Sequence, residues 1–120
     1  MQTSLQQQTQ APDPLARDTG ESDPDTDVTV STSTGHCRRL LFVTVKYSAP
    51  VTQNATVTLN SGMGAAWDTV WATIALVAAK DGVYTPDGKM TIADDDVIDV
   101  VAPAGGPGIT SAIAIETEIA

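Results

Sequence analysis

Short runs of alternating apolar and polar residues fill most of the chain after residue 27. Residues 28–32 read Val-Thr-Val-Ser-Thr and residues 55–59 read Ala-Thr-Val-Thr-Leu, which is the period-2 pattern of a strand with one buried face. Similar runs cover residues 40–47, 83–85, 89–93, 97–102 and 109–119. Turn-forming residues separate these runs, among them a Pro/Gly-rich loop over 103–108. The pattern predicts an all-β fold, an antiparallel β-sandwich or jelly-roll-like domain.

The run 40–47 is predicted as a central strand. Its buried face is expected to carry Leu41, Val43, Val45 and Tyr47. Ser48-Ala49-Pro50 follows directly, and we expect it to end the strand because proline cannot donate a ladder hydrogen bond.

The segment 65–79 fits two structures. Trp67, Trp71 and Ile74 recur at helical spacing, but most of the larger side chains are β-branched or aromatic and favour strands. We favour a strand and keep a helix as the alternative. Lys80-Asp81-Gly82 is predicted as the turn that follows.

The first 27 residues have a different composition from the rest. They contain a glutamine run, three prolines and several acids, and their only large apolar residues are Met1, Leu5 and Leu15. So few apolar groups cannot offset the roughly 1–2 kcal/mol per residue that backbone ordering costs. We therefore expect residues 1–27 to be an extended arm and residues 28–120 to be the sandwich domain. The segment lacks the basic start and apolar run of a secretory signal.

Charge is abundant and unevenly distributed. The chain of 120 residues has 15 acidic and six basic residues, a formal net charge of -9, of which -5 falls in residues 1–35. Nucleic acid is not an expected partner, because phosphate binding needs clustered Lys and Arg. No membrane contact is expected either, since no run approaches the ~20 apolar residues of a span. The single His36 and single Cys37 count against a catalytic site or a cofactor, and we expect no enzyme activity.

One acidic cluster has the chemistry of a weak calcium site. Its candidate ligands are Asp94, Asp96 and Asp99, with Asp87 as a fourth. The spacing lacks the Gly and the terminal Glu of an EF-hand loop, so a solvated corner is the favoured interpretation and no metal is predicted.

Two arginines and two tryptophans are candidates for partner binding. Arg38 and Arg39 lie in the one basic stretch, and they could pair with acids of a neighbouring subunit or of the acidic arm. A local ion pair or a solvated face is the more common role of such residues. Trp67 and Trp71 could stack on a sugar, fill the core, or anchor an interface. Leu5 and Leu15 are the apolar residues through which the arm would contact a partner.

The body from about residue 41 to residue 119 resembles small virion proteins of tailed bacteriophages. The residues that carry the resemblance are 47–52, 59–69, 84–88 and 93–100, with sequences such as Tyr-Ser-Ala-Pro-Val-Thr and Tyr-Thr-Pro-Asp-Gly. These proteins are β-sandwich decoration modules that sit on capsid or tail surfaces as multimers and have no active site. The resemblance implies a virion location, homo-oligomers, and the major capsid protein or another virion protein as partner.

Three functions follow as hypotheses. The first is a capsid decoration or cement protein that binds the outer capsid surface and stabilises the particle. A neck or tail-surface structural protein is the alternative within this class. The third is a carbohydrate-binding β-sandwich module that uses the tryptophans.

Overall fold

A computed structural model of the chain describes residues 15–87 and 91–120. These residues form nine strands and one short 3₁₀ turn, Ala65–Trp67. The strands are β1 Leu15–Glu21, β2 Val28–Ser31, β3 Arg38–Val51, β4 Asn54–Asn60, β5 Thr69–Ala75, β6 Ala79–Tyr84, β7 Thr91–Ile92, β8 Val97–Ala102 and β9 Ser111–Ile119. Most of the strands predicted from period-2 alternation are therefore confirmed. The prediction for 89–93 partly lies outside the described residues.

The strands form two antiparallel sheets packed face to face. Sheet A has the order β1-β9-β3-β6, with β7 also paired to β3, and sheet B has the order β2-β8-β4-β5. Successive strands pass from one sheet to the other except between β4 and β5 and between β6 and β7, and the first described strand pairs with the last. With β7 set aside, this is the eight-stranded order of a jelly roll. The predicted all-β sandwich is confirmed.

The core lies between the sheets and comes from alternate residues of nearly every strand. Its least exposed large side chains are Leu76, Ile98, Ile113, Ile115, Val43, Val45, Val57 and Val100. These residues are mostly β-branched, so they pack with little loss of rotamer freedom on a pleated surface. The alternation in β9 is regular: Ile113, Ile115 and Thr117 are buried while their neighbours are half-buried.

Residues 15–21 differ from the predicted arm. They form β1, whose ladder with β9 runs from Leu15 opposite Glu118 to Glu21 opposite Ala112. The sequence gives no apolar alternation here because the inward positions are small or polar. Gly20 is one of them, and a Cβ built on it would lie 2.7 Å from Cγ2 of Val30. The sandwich thus includes residues 15–21 of the predicted arm, while residues 1–14 lie outside the described residues.

The central strand β3 is longer than predicted, and its predicted buried face is confirmed at Val43, Val45 and Tyr47 but not at Leu41. It continues through Ser48-Ala49-Pro50 to Val51, with its pairing to β6 shifted between Lys46 and Val51. A second irregularity, between Leu40 and Phe42 opposite β9, leaves Leu40 buried and Leu41 only half-buried. The predicted end of the strand at 48–50 is wrong because bulges let the strand bend without ending.

The predicted turn at Lys80-Asp81-Gly82 is also wrong, because these residues lie inside β6. Gly82 pairs with Val45 and faces the core. A Cβ at Gly82 would come within 2.6 Å of Cγ2 of Ile74 and 3.0 Å of Cδ2 of Leu76. The glycine is used for this close packing between the sheets rather than for a turn.

The ambiguous segment 65–79 is mainly strand, as favoured. Only Ala65–Trp67 is helical, as a single 3₁₀ turn. β5 follows it, and residues 76–78 carry the chain across to β6 in the other sheet. β5 and β6 are therefore edge strands on the same side of the sandwich, and β1 and β2 are the edge strands of the opposite side.

Backbone hydrogen bonds join the loops at each end of the sandwich. At one end Asp25 N donates to Ile109 O at 2.9 Å, and Leu76 N donates to Gln53 O at 3.1 Å. At the other end Gly35 N donates to Asp94 O at 2.9 Å. The loops at each end are thus held to one another by hydrogen bonds between their backbone groups.

Candidate functional site

The two open sides of the sandwich differ in chemistry. On one side, β1 and its link to β2 carry Glu21, Asp23, Asp25 and Asp27, which we call the acidic rim. On the other side, where the β6 edge of sheet A carries Lys80 and Asp81, the edge of sheet B is uncharged; its segment from Trp67 to Val77, with β5 at its centre, is called the apolar rim.

The apolar rim exposes large apolar side chains that a folded chain normally buries. Trp67 is 60% exposed, Val70 is 59% exposed and Val77 is 81% exposed. Met63, in the loop that precedes the 3₁₀ turn, is also highly exposed. These residues lie in one stretch of the chain, 63–77, and grouped exposed apolar residues mark interaction sites more often than isolated ones do.

The apolar rim belongs to the least charged part of the chain. Residues 47–79 include one acidic or basic residue, Asp68, in a chain where such residues are 18% of the total. The Asp68 carboxylate accepts a hydrogen bond from Ser61 N at 2.9 Å, so this charge fixes the loop before β5. The surface around β5 therefore offers shape and apolar area but little electrostatic attraction.

The acidic rim includes both exposed charges and structural ones. Asp27 accepts a hydrogen bond from Ala104 N at 2.7 Å, and Asp25 occupies the left-handed region with φ of 57°. Glu21 and Asp23 are exposed. Burial raises the pKa of the nearby Tyr47 phenol, and the negative charge of Asp27 raises that pKa further. Tyr47 donates its hydroxyl hydrogen to Pro103 O at 2.7 Å.

The predicted partner-binding residues do not form one surface. Leu15 is 55% exposed at the start of β1, while Trp67 is exposed on the opposite side of the sandwich. Trp71 packs against the core, so of the two tryptophans only Trp67 is presented outward. Leu5 lies outside the described residues.

The two arginines serve the fold of their own chain. Arg38 is only 9% exposed, and its Nη1 donates to Thr117 Oγ1 at 3.4 Å. Arg39 pairs with Glu118 of the neighbouring strand at 2.6 Å. The predicted local ion pair is found for Arg39, while the Nε atoms of Arg38 and Arg39 have no hydrogen-bond partner among the residues described.

The four candidate calcium ligands are not brought together. Asp99 accepts hydrogen bonds from Ser31 and Asn60 on neighbouring strands, and Asp96 accepts one from Gly62 N at 2.7 Å. Within residues 15–87 and 91–120, no three His, Cys, Asp or Glu residues converge on a possible metal position. The cluster instead ties the loop before β8 to its neighbours.

A shallow groove crosses the outer face of sheet A. It has a volume of about 520 Å³ and is lined by Arg17, Phe42, Thr44, Lys46, Ala114 and Glu116, among others. Arg17 forms an ion pair with Glu116 within it. The groove is open, and its charged side chains are already paired or solvated, so it has the character of a surface depression between strands.

Sequence reasoning missed Met63, Val70 and Val77 as surface residues. The sequence does contain a signal for this surface. Residues 69–77 form a predicted strand without any charged residue, so the solvent-facing positions of that strand must be apolar or uncharged. No helix in the described residues is long and apolar enough to cross a membrane.

Comparison with known proteins adds little to this description. No protein-family model matches the chain, and no curated protein matches it either. A solved structure described as the crystal structure of FLHE is similar over 87% of this chain and 96% of that chain, with 11% sequence identity and a TM-score of 0.37. A likeness at that level carries no argument, so fold class and site rest on the geometry above: a jelly-roll sandwich with one acidic and one apolar rim.

Proposed function

We propose that this protein is a non-enzymatic structural protein of a virion, a capsid decoration or cement protein that binds the outer capsid surface and stabilises the particle. The observation that carries the proposal is the separation of acidic and apolar surface onto opposite sides of one rigid sandwich. A decoration protein needs one surface for the shell and another for its neighbours, and two unlike rims meet both needs.

The acidic rim is the surface we assign to the shell. Exposed carboxylates such as those of Glu21 and Asp23 are suited to a basic surface, and complementary charge speeds association and fixes orientation. Attachment through this rim should weaken as salt rises, because interactions between solvent-exposed charges are screened within about 10 Å at 0.1 M ionic strength. Asp27 is not included, since its carboxylate holds the loop at Ala104.

The fold gives general support to this class of function. Jelly-roll sandwiches occur in viral capsid proteins and also in lectins, so the architecture fits both the virion proposal and carbohydrate binding. Fold analogy alone does not choose between them. Carbohydrate binding would depend on Trp67, because Trp71 packs against the core.

Particle binding is the direct test. Particles assembled from a genome that lacks the reading frame of this chain are mixed with the purified protein and sedimented. We expect saturable, stoichiometric co-sedimentation that decreases with salt. The double variant Glu21→Gln, Asp23→Asn should bind several-fold more weakly, while the control variant Asp87→Asn, Asp94→Asn, which removes two exposed acids elsewhere, should bind normally.

Two results would contradict the proposal. One is the absence of the chain from intact particles by mass spectrometry together with no co-sedimentation. The other is binding to a glycan array that Trp67→Ala abolishes, which would favour the carbohydrate-binding module. Mass spectrometry of separated capsids, necks and tails would distinguish the decoration protein from a neck or tail-surface component.

A further inference from the structure

The four edge strands of the sandwich are protected to different degrees. Natural sheets protect open edges with charged residues or very short strands. β1 carries three charged residues, β2 has four residues in total, and β6 carries Lys80 and Asp81. β5 has seven residues, Thr-Val-Trp-Ala-Thr-Ile-Ala, and none of them is charged, a glycine or a proline. Among the strands that the structure describes, β5 is thus the edge that is open to strand pairing.

Exposed apolar residues flank β5 at both ends. Trp67 and Val70 lie at its start, and Val77 lies just after its end. If two copies of β5 pair antiparallel about a twofold axis at Thr73, the start of each strand meets the end of the other. Trp67 of each copy then lies near the loop that contains Val77 of the other, so the surface is complementary to itself, as an isologous interface requires.

We propose that β5 pairs antiparallel with β5 of a second copy and joins the two four-stranded B sheets into one continuous sheet. The inference does not depend on the proposed virion function, because it concerns the chain alone. A twofold contact of this kind also closes on itself and leaves the β5 edge unavailable for further aggregation.

Self-complementarity is the reason for assigning a second copy as the occupant, and charge favours this edge as the place where two copies meet. Two chains of net charge -9 repel each other over most of their surfaces. Residues 47–79 hold only Asp68, whose carboxylate binds Ser61 N, so the β5 edge is where two copies can approach at least electrostatic cost. The pairing also directs the two acidic rims away from each other, since β1 and β2 lie on the far side of each sandwich. A charged partner would gain nothing from this edge.

The contact should be weak. A register shift opposite Val57 and Thr58 makes Trp71 an extra residue in β5, so the regular ladder is confined to the second half of the strand. The exposed apolar side chains supply on the order of 400 Å² per copy, about half of the ~800 Å² per partner of a standard interface. We expect a dissociation constant between about 10 μM and 1 mM.

Sedimentation velocity from about 10 μM to 1 mM tests the proposal on the full chain without any particle. We expect a monomer-dimer equilibrium that tightens as salt rises from about 50 mM to 500 mM, because salt screens the repulsion between two acidic chains. Val70→Lys should weaken the dimer at least tenfold. Val83→Lys is the matched control, since Val83 is an edge-strand valine of equal exposure, 60% against 59%, in the other sheet.

A cross-linking experiment gives a second measurement. In a Cys37→Ser background, Thr73→Cys should form a disulfide-linked dimer with copper phenanthroline as oxidant, and Val83→Cys should not. A chain that stays monomeric at about 1 mM, or a dimer that Val70→Lys leaves unchanged, overturns the proposal. A monomeric chain whose Val70→Lys variant loses particle binding would assign the edge to another virion protein and would also overturn it.

Discussion

Gly82 of β6 and Ile74 of β5 meet across the sandwich, and this contact predicts a measurable coupling. A methyl group added at Gly82 would lie 2.6 Å from Cγ2 of Ile74. Non-bonded carbon atoms prefer about 3.5–4.0 Å, so Gly82→Ala forces a shift of about 1 Å in a buried side chain. Overpacking of this size costs about 1–3 kcal/mol, and the reduced freedom of the unfolded chain returns about 0.4–1 kcal/mol. We expect a net loss of about 1–2 kcal/mol in the free energy of unfolding.

The double variant makes the prediction sharper. Ile74 is 7% exposed, so Ile74→Ala alone should cost about 2–4 kcal/mol, because it leaves a cavity. The methyl group of Gly82→Ala would partly fill that cavity. The loss in the free energy of unfolding of the double variant should therefore be smaller, by about 1–2 kcal/mol, than the sum of the losses of the two single variants. Urea unfolding followed by far-UV circular dichroism measures all four free energies.

A control pair separates contact from general weakening of the core. Val30 has a similar exposure, 6%, but lies on β2 at the opposite side of the sandwich. Gly82→Ala and Val30→Ala should therefore be additive within about 0.5 kcal/mol. Full additivity for the Ile74 pair, or a Gly82→Ala variant as stable as the parent, would refute the reasoning.

Three further predictions concern charge and ligands. Because the pKa of Tyr47 is raised, the fold favours the neutral phenol, so stability should hold below about pH 10 and fall above it. Tyr47→Phe should make that fall smaller when Tm is measured over a series of pH values. The same variant should cost about 1 kcal/mol at pH 7, because it loses the hydrogen bond to Pro103 O. Identical alkaline profiles would contradict this. Arg38→Met keeps the buried stem but removes a guanidinium whose Nε lacks a described partner, so urea unfolding should show no loss of stability, whereas Arg38→Ala should lose about 2 kcal/mol. A comparable loss in both variants would show that the charge is paired. About 1 mM Ca²⁺ should leave Tm unchanged, since Asp96 already holds Gly62 N and the candidate ligands do not converge; a rise of several degrees would indicate a site.

The alternation of apolar and polar residues predicted the strands that bury one face. It did not predict a strand such as β1, which is stabilised by backbone pairing with its neighbour. β9 was predicted because Ile113 and Ile115 repeat at period 2 over a whole strand. β1 has no such repeat, and it is a strand because its backbone pairs with β9 and its small inward residue Gly20 fits beside Val30. That information is in the tertiary packing and cannot be obtained from the segment alone.

Turn-forming residues predicted turns correctly only where the segment has no neighbouring strand with which its backbone can pair. Lys80-Asp81-Gly82 has turn chemistry, but the pairing of Gly82 with Val45 and its contact with Ile74 make it strand. The same limit applies to the candidate site. Exposure of Trp67 and Val77 depends on β5 being an edge strand, and edge position follows from the order of the whole sheet.

The pairing of the first described strand with the last has a consequence for synthesis. β9 lies between β1 and β3 in sheet A, and within residues 15–87 and 91–120 it is the one strand that pairs with β1. A growing chain can pair β3 with β6, but β1 must wait for residues 111–119 before its backbone groups find partners. Folding of sheet A is therefore completed only when translation has passed residue 119, and a product truncated before β9 would expose two unpaired edges to the chaperones and proteases of the cell.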